Sequence, residues 1–156
     1  TVCFMWKRLL ALVVLVSLTW GIWWLFLRST ERQILAVQET FLAALEDREW
    51  ETVRSMLASD FAGPGGLTAD AAMPELQRAL EGFVTLDIEA REPSVKAARD
   101  IGVSTQIIRV TGLGSPLAIM ARDKANQLQT PWLLHWRKTG GWPWEWQLTQ
   151  AFNDSL

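Results

Sequence analysis

From Leu9 to Leu27 the chain reads LLALVVLVSLTWGIWWLFL, without one charged side chain. No other feature restricts its folding so tightly. At about 1.5 Å per residue a helix over this run is about 28 Å long, close to the thickness of a hydrocarbon core. Lys7 and Arg8 close one end and Arg28 the other. Trp6 stands by the first boundary, and Trp20, Trp23 and Trp24 gather towards the second. An indole ring with its polar N–H is favoured at the headgroup level. The pattern predicts a short tail over 1–8 and a retained single transmembrane helix over 9–27, with Trp6, Lys7, Arg8 and Arg28 at the membrane interface. A cleaved signal peptide is the competing reading. Against it, the apolar run is long and Arg28-Ser29-Thr30 offers no small-x-small cleavage site. Thr1 in place of Met fits removal of an initiator Met before a small residue, so little is expected to precede it.

Lys7 and Arg8 balance Arg28 and Arg32, and the amino terminus tips the bias towards a cytoplasmic N-terminal side. The expected location is the cytoplasmic (inner) membrane, with the following domain on its outer side. The single Cys is Cys3, so the domain carries none, which an oxidising compartment tolerates. Cys3 lacks a lipobox-like context and reads as an inert thiol. Ser17/Gly21 and Trp20/Trp24 are i, i+4 pairs that fit a helix–helix contact. Trp20, Trp23 and Trp24 are therefore candidate partner contacts, with plain lipid contact as the alternative.

Residues 28–156 form one expected α+β domain. Of the 15 basic residues only Lys7 and Arg8 precede it, leaving 13 against 17 acidic ones. That balance argues against a nucleic-acid partner. One His and one Cys argue against a metal site, and no motif calls for a cofactor. Thr30-x-x-Gln33 is a weak capping box before a helix with Ile34, Val37, Phe41 and Leu45 on one stripe. A second short helix is expected from Glu49, with Trp50, Val53 and Leu57 inward and Met56 and Phe61 extending its apolar surface. Gly63-Pro64-Gly65-Gly66 is a turn. A third helix is expected from Pro74 to Gly82 with Leu76, Ala79 and Leu80 inward. The period then changes from 3.6 to 2. Val84, Leu86, Ile88 and Ala90 alternate with polar residues up to Pro93, which ends or bends the strand. A second strand starts at Ile101, alternates through Ile108 and ends near Gly112-Leu113-Gly114, and 117–121 is a possible third, followed by a polar excursion over 123–129. Trp132, Leu134 and Trp136, then Gly140-Gly141, then Trp144, Trp146 and Leu148 read as a closing hairpin. Three helices followed by an antiparallel meander predict a curved sheet with helices on one face.

The run Phe41–Leu57, with its acidic break Glu46-Asp47-Arg48-Glu49 and Trp50, resembles the opening of nuclear-transport-factor-2-like domains, which include SnoaL-like cyclases and ketosteroid isomerases. The closing segment Trp136-Arg137-Lys138-Thr139-Gly140-Gly141-Trp142-Pro143-Trp144 is similar to theirs. The resemblance covers about 30–153 and implies a cone-shaped antiparallel sheet wrapped on a long helix, with a pocket at the open end. Such domains serve as enzymes, ligand binders and assembly modules. The isomerases are expected to use a carboxylate base and a Tyr donor, and this chain has no Tyr. Asp60, Asp87 and Asp100 are the candidate carboxylates, with Asp87 expected on the outer side of its strand. His135, the only His, lies opposite Trp132, Leu134 and Trp136 and is a conceivable base. The Trp-rich closing segment reads either as core or as a contact surface, and Trp142, beside Pro143 at a turn, is a candidate partner contact. Two functions stay open. One is an accessory, scaffolding or assembly subunit of a larger membrane complex, for example secretory, respiratory or photosynthetic, whose partners are other integral membrane proteins and the lipid bilayer. The other is a membrane-tethered small-molecule binder or isomerase/cyclase-like enzyme using the cone.

Overall fold

A computed structural model describes residues 12–21 and 29–156. Residues 12–21 are helical, and among the described residues no helix is long and apolar enough to cross a membrane. Most of the boundary residues expected for the 9–27 span, namely Trp6, Lys7, Arg8, Trp23, Trp24 and Arg28, lie outside the described residues.

The domain's elements are α1 (Thr30–Glu46), α2 (Trp50–Met56), β1 (Leu57–Ala62), α3 (Ala69–Glu81), β2 (Phe83–Ala98), β3 (Ile101–Gly114), α4 (Pro116–Gln127), β4 (Trp132–Lys138) and β5 (Trp146–Asn153). The strands form one sheet in the order β1-β5-β4-β3-β2. The pairs β2/β3, β3/β4 and β4/β5 are antiparallel, whereas β1 runs parallel to β5.

α1 is long because its apolar residues recur at helical spacing and nothing inside it breaks the backbone pattern. Its cap is Ser29, whose hydroxyl accepts from the Arg32 N–H at 3.4 Å, one residue earlier than the expected capping box. The helix lies across the sheet. Ile34 stands over Gly102, Phe41 packs edge-on against Trp136, and Glu46 near the other end accepts the Ile88 N–H. Arg48, at positive φ, donates to the Phe83 carbonyl and ties the helix end to the start of β2. Ile34, Val37, Phe41, Leu45, Val53, Leu57, Leu134, Trp136, Trp146 and Leu148 share one core. Every member of that core lies after Thr30.

Several expectations change. The sheet is mixed, not purely antiparallel, because Leu57 and Phe61 belong to β1 rather than to the second helix. Trp50 is half-buried, on the rim of that helix. α3 begins at Ala69, and Pro74 sits inside it. A proline in the second turn costs a backbone hydrogen bond, but buried Ala69, Ala72 and Met73 hold the first turns in place. Ala79 points outward. β2 continues past Pro93 through an irregularity between Arg91 and Ser94, where Glu92 takes a positive φ. The segment expected as a strand over 117–121 and the excursion after it form one helix, α4, making four helices rather than three. Ser115 caps it, accepting the Ala118 N–H at 3.3 Å, and Pro116 takes the first position. Asn126 then clasps both backbone groups of Val110, at 2.8 and 2.7 Å, fixing α4 against β3.

Candidate functional site

The space between α1 and the sheet is where such a fold offers a pocket, and here two tryptophans fill it on the β4 and β5 side. Trp136 and Trp146 are 1% and 2% exposed. Trp136 Nε1 donates to Ser104 Oγ at 3.0 Å, and Trp146 Nε1 donates to Gln33 Oε1 at 3.4 Å. The residues of β3 that face α1 are Gly102, Ser104 and Gln106, all buried, while Ile101 on the opposite face is 61% exposed. This inverts the ordinary placement of apolar side chains, and at Gly102 its cause is room. A Cβ on Gly102 would come within 2.3 Å of Ile34 Cδ1, so small residues are what let α1 and the Trp rings close over β3.

Two buried amides in this interior were not singled out from the sequence. Gln38 Oε1 and both amide atoms of Gln106 have no hydrogen-bond partner among the described residues. Gln38 also lines a cleft of about 230 Å³ between α1 and β2, with Leu42, Glu46, Ile88 and Pro93. The available signal was that Gln38 falls within the apolar stripe between Ile34 and Phe41. A buried amide left unpaired is costly.

The candidate acids lie elsewhere and apart. Asp60, on the outer strand β1, accepts both Arg137 guanidinium nitrogens, at 2.9 and 2.7 Å. The hydrogen bonds from Arg137 hold the Asp60 carboxyl below its ordinary range, and those from Asp60 raise the guanidinium in turn. A carboxylate so stabilised is a poor general base. Asp87 accepts from Thr111 Oγ1 at 3.1 Å on an exposed surface, as its alternation implies. Asp100 sits in the turn between β2 and β3, where its backbone carbonyl accepts the Lys138 N–H at 2.7 Å. His135 lies on the sheet face away from α1, in an open trough of about 400 Å³ with Lys96, Ile101, Val103, Arg137 and Thr149. The structure thus brings His135 beside Arg137, but gathers no two of the candidate acids in one cavity. Among the described residues no group of three or more His, Cys, Asp or Glu side chains could hold a metal.

The Trp-rich segment divides. Trp136 and Trp146 are core, and Trp132 is half-buried. Trp144, expected on the closing strand, instead lies with Trp142 in the β4–β5 loop. They are 57% and 48% exposed and stack with centroids 5.1 Å apart and planes 14° apart.

The chain matches no protein-family model and no curated protein. Solved structures share its architecture. An NTF2-like protein from Cytophaga hutchinsonii is 16% identical with a TM-score of 0.58, over 80% of this chain and 96% of that one. An NTF2-like protein of unknown function from Pseudomonas putida is 14% identical with a TM-score of 0.57, over 78% and 82%. Bd1075 of Bdellovibrio bacteriovorus is 12% identical with a TM-score of 0.60. There the match covers 78% of this chain but only 39% of that longer one. At these identities the likeness carries architecture and not activity: residues 29–156 have the nuclear-transport-factor-2-like fold.

Proposed function

We propose that the chain is a membrane-anchored accessory or assembly subunit that works through protein contacts. The proposed anchor is the apolar segment 9–27, in the cytoplasmic membrane with the domain on its outer side. The observation that carries the reading is the tryptophan-filled side of the interior under α1. Trp136 and Trp146 lie buried between α1 and the sheet, where the resemblance to this fold places a pocket. Their N–H groups are spent on Ser104 and Gln33, and among the described residues no carboxylate is buried. Unsatisfied apolar surface lies outside instead. Val84 and Leu113 near the start of β2 and end of β3, and Leu117 and Met120 on α4, are each more than 65% exposed at the end opposite the start of α1. Exposed apolar side chains gathered at one end fit a protein contact.

The test is a photo-crosslinking residue at Leu117 or Met120, with mild-detergent purification from membranes. A discrete adduct to a membrane protein from these positions, absent when the probe is at Glu75, is expected. No adduct from any position would refute the contact role. One observation favours a second reading: the unpaired Gln38 and Gln106 amides suit a small polar ligand entering the cone. Thermal shift against a panel of polar metabolites, lost in Gln106→Leu, would support that reading over the first.

A further inference from the structure

The two stacked tryptophans of the β4–β5 loop stand at a definite place in the fold. Trp146, which follows them, donates to Gln33 in the first turn of α1. The Lys138 N–H, just before the loop, is held by the Asp100 carbonyl in the β2–β3 turn. The loop, that turn and the start of α1 therefore form one end of the domain, opposite Val84, Leu113 and α4. Only residues 28 and 29 separate Leu27 from α1, so Thr30 lies at most about 10 Å of chain beyond Leu27, and three helical residues to Gln33 add about 4.5 Å. Gln33 thus lies no more than about 15 Å from the end of the apolar run. The headgroup layer on each side of a bilayer is about 5–8 Å thick.

The loop is built to hold the rings out. Glu145 accepts the Trp142 N–H at 2.9 Å with its carboxylate, while its carbonyl accepts the Thr139 N–H at 2.8 Å. Its carboxylate occupies the space beside Gly140, where a Cβ would come within 1.9 Å of it. Pro143, between the two tryptophans, is buried and pins the loop to the domain. The stacked pair then presents a large indole surface, the chemistry that the headgroup layer favours. Ile101, 61% exposed, and the exposed Lys96, Arg99 and Arg32 belong to the same end. The acids there are Glu31, Asp60, Asp100 and Glu145, of which Asp60 is paired with Arg137 and Glu145 is engaged by the loop backbone.

We infer that Trp142 and Trp144 dock into the phospholipid headgroup layer beside the anchor, clamping the domain to the bilayer by a second point of contact. The inference rests on the proposed anchor at 9–27. A single attachment leaves the domain free to swivel. A second fixes which face it turns outward and holds the α4 end away from the membrane.

The test uses the full chain in vesicles of phosphatidylcholine with a minor share of phosphatidylglycerol. In a Cys3→Ser background, Gly141→Cys carries an environment-sensitive fluorophore; a Cβ there meets nothing within 4 Å, so both rings stay in place. Val84→Cys labels the opposite end and Val16→Cys the proposed span. The expected result is blue-shifted emission at 141, quenched by shallow lipid-borne nitroxide and protected from aqueous iodide, while 84 is open to iodide. Trp142→Ser with Trp144→Ser should abolish the shift and the protection at 141. A label at 141 as open to iodide as that at 84, with 16 protected in the bilayer, overturns the docking and leaves the anchor standing. Protection at 141 without lipid quenching overturns it in favour of a protein contact. A label at 16 open to iodide refutes the anchor, and the docking with it.

Discussion

Replacing Trp136 by Phe tests the tryptophan-filled side of the interior directly. The indole is 1% exposed, its N–H donates to Ser104 Oγ at 3.0 Å, and its ring meets Phe41 edge-on at 6.2 Å. Phe keeps one aromatic ring but removes the pyrrole part, leaving a small void. It also strands the Ser104 hydroxyl, which is 0% exposed. Full truncation of a buried Trp costs about 3–5 kcal/mol, and an orphaned buried polar group about 1–3. Trp136→Phe should therefore cost about 2–4 kcal/mol. Ser104→Ala strands the indole N–H instead and should cost about 1–3 kcal/mol. In the double variant neither group is orphaned, so its cost should fall short of the sum of the singles by about 1 kcal/mol or more.

The assay is urea unfolding of residues 29–156 followed by far-UV circular dichroism, with stabilities extrapolated linearly. That shortened chain should melt cooperatively, since the main core draws only on residues from Ile34 onward. Additive costs within about 0.5 kcal/mol would refute the pairing, and with it the claim that the Trp136 N–H is engaged inward.

Gly102→Ala should destabilise by about 1–3 kcal/mol, because its Cβ would fall 2.3 Å from Ile34 Cδ1; adding Ile34→Val, which removes that atom, should recover part of the loss in the same urea titration. Gln106→Leu should raise stability by about 1–2 kcal/mol, since it removes an amide with no partner among the described residues; a loss of stability would mean that the amide is satisfied. The Asp60 carboxyl is held below its ordinary 3.8, so its pair with Arg137 adds stability above that pH and loses it as pH falls through the depressed native value. The urea midpoint of Asp60→Asn should therefore sit below that of the parent at neutral pH and converge with it in strong acid, and a gap that persists there would contradict the assignment.

Local patterns carried the sequence reading far in some places and misled it in others. Helix α1 was legible because its stripe from Ile34 to Leu45 has the right period and no breaker. The β4 half of the closing hairpin was legible because Trp132, Leu134 and Trp136 alternate into a two-residue glycine signal. The parallel strand β1 was not, because Leu57 and Phe61 also suit a helix face and only pairing with β5, ninety residues later, decides otherwise. α4 was missed for a similar reason: Leu117–Ala121 is short and apolar, and its Ser-Pro start was the cue that mattered. The buried glutamines were invisible because polarity ordinarily marks the outside. On β3 space under α1 is scarce at Gly102, so a residue without a side chain goes in there and Ile101 goes out.

The aromatic balance links the interior to the surface. An indole donates one hydrogen bond and accepts none, whereas a phenol does both and can titrate. A cone lined by Tyr could turn its hydroxyls towards a ligand and exchange protons with it. This chain has ten Trp and no Tyr. In the cone Trp136 and Trp146 each need a single fixed acceptor, and Ser104 and Gln33 supply it from the protein itself. In the β4–β5 loop the same property works in the opposite direction. Trp142 and Trp144 combine a large apolar face with an N–H edge, which suits a boundary between hydrocarbon and water better than either phase alone. One residue type thus fills part of the cone without a titratable group and marks the end of the domain nearest the proposed anchor, which is the pattern the proposed contact role requires.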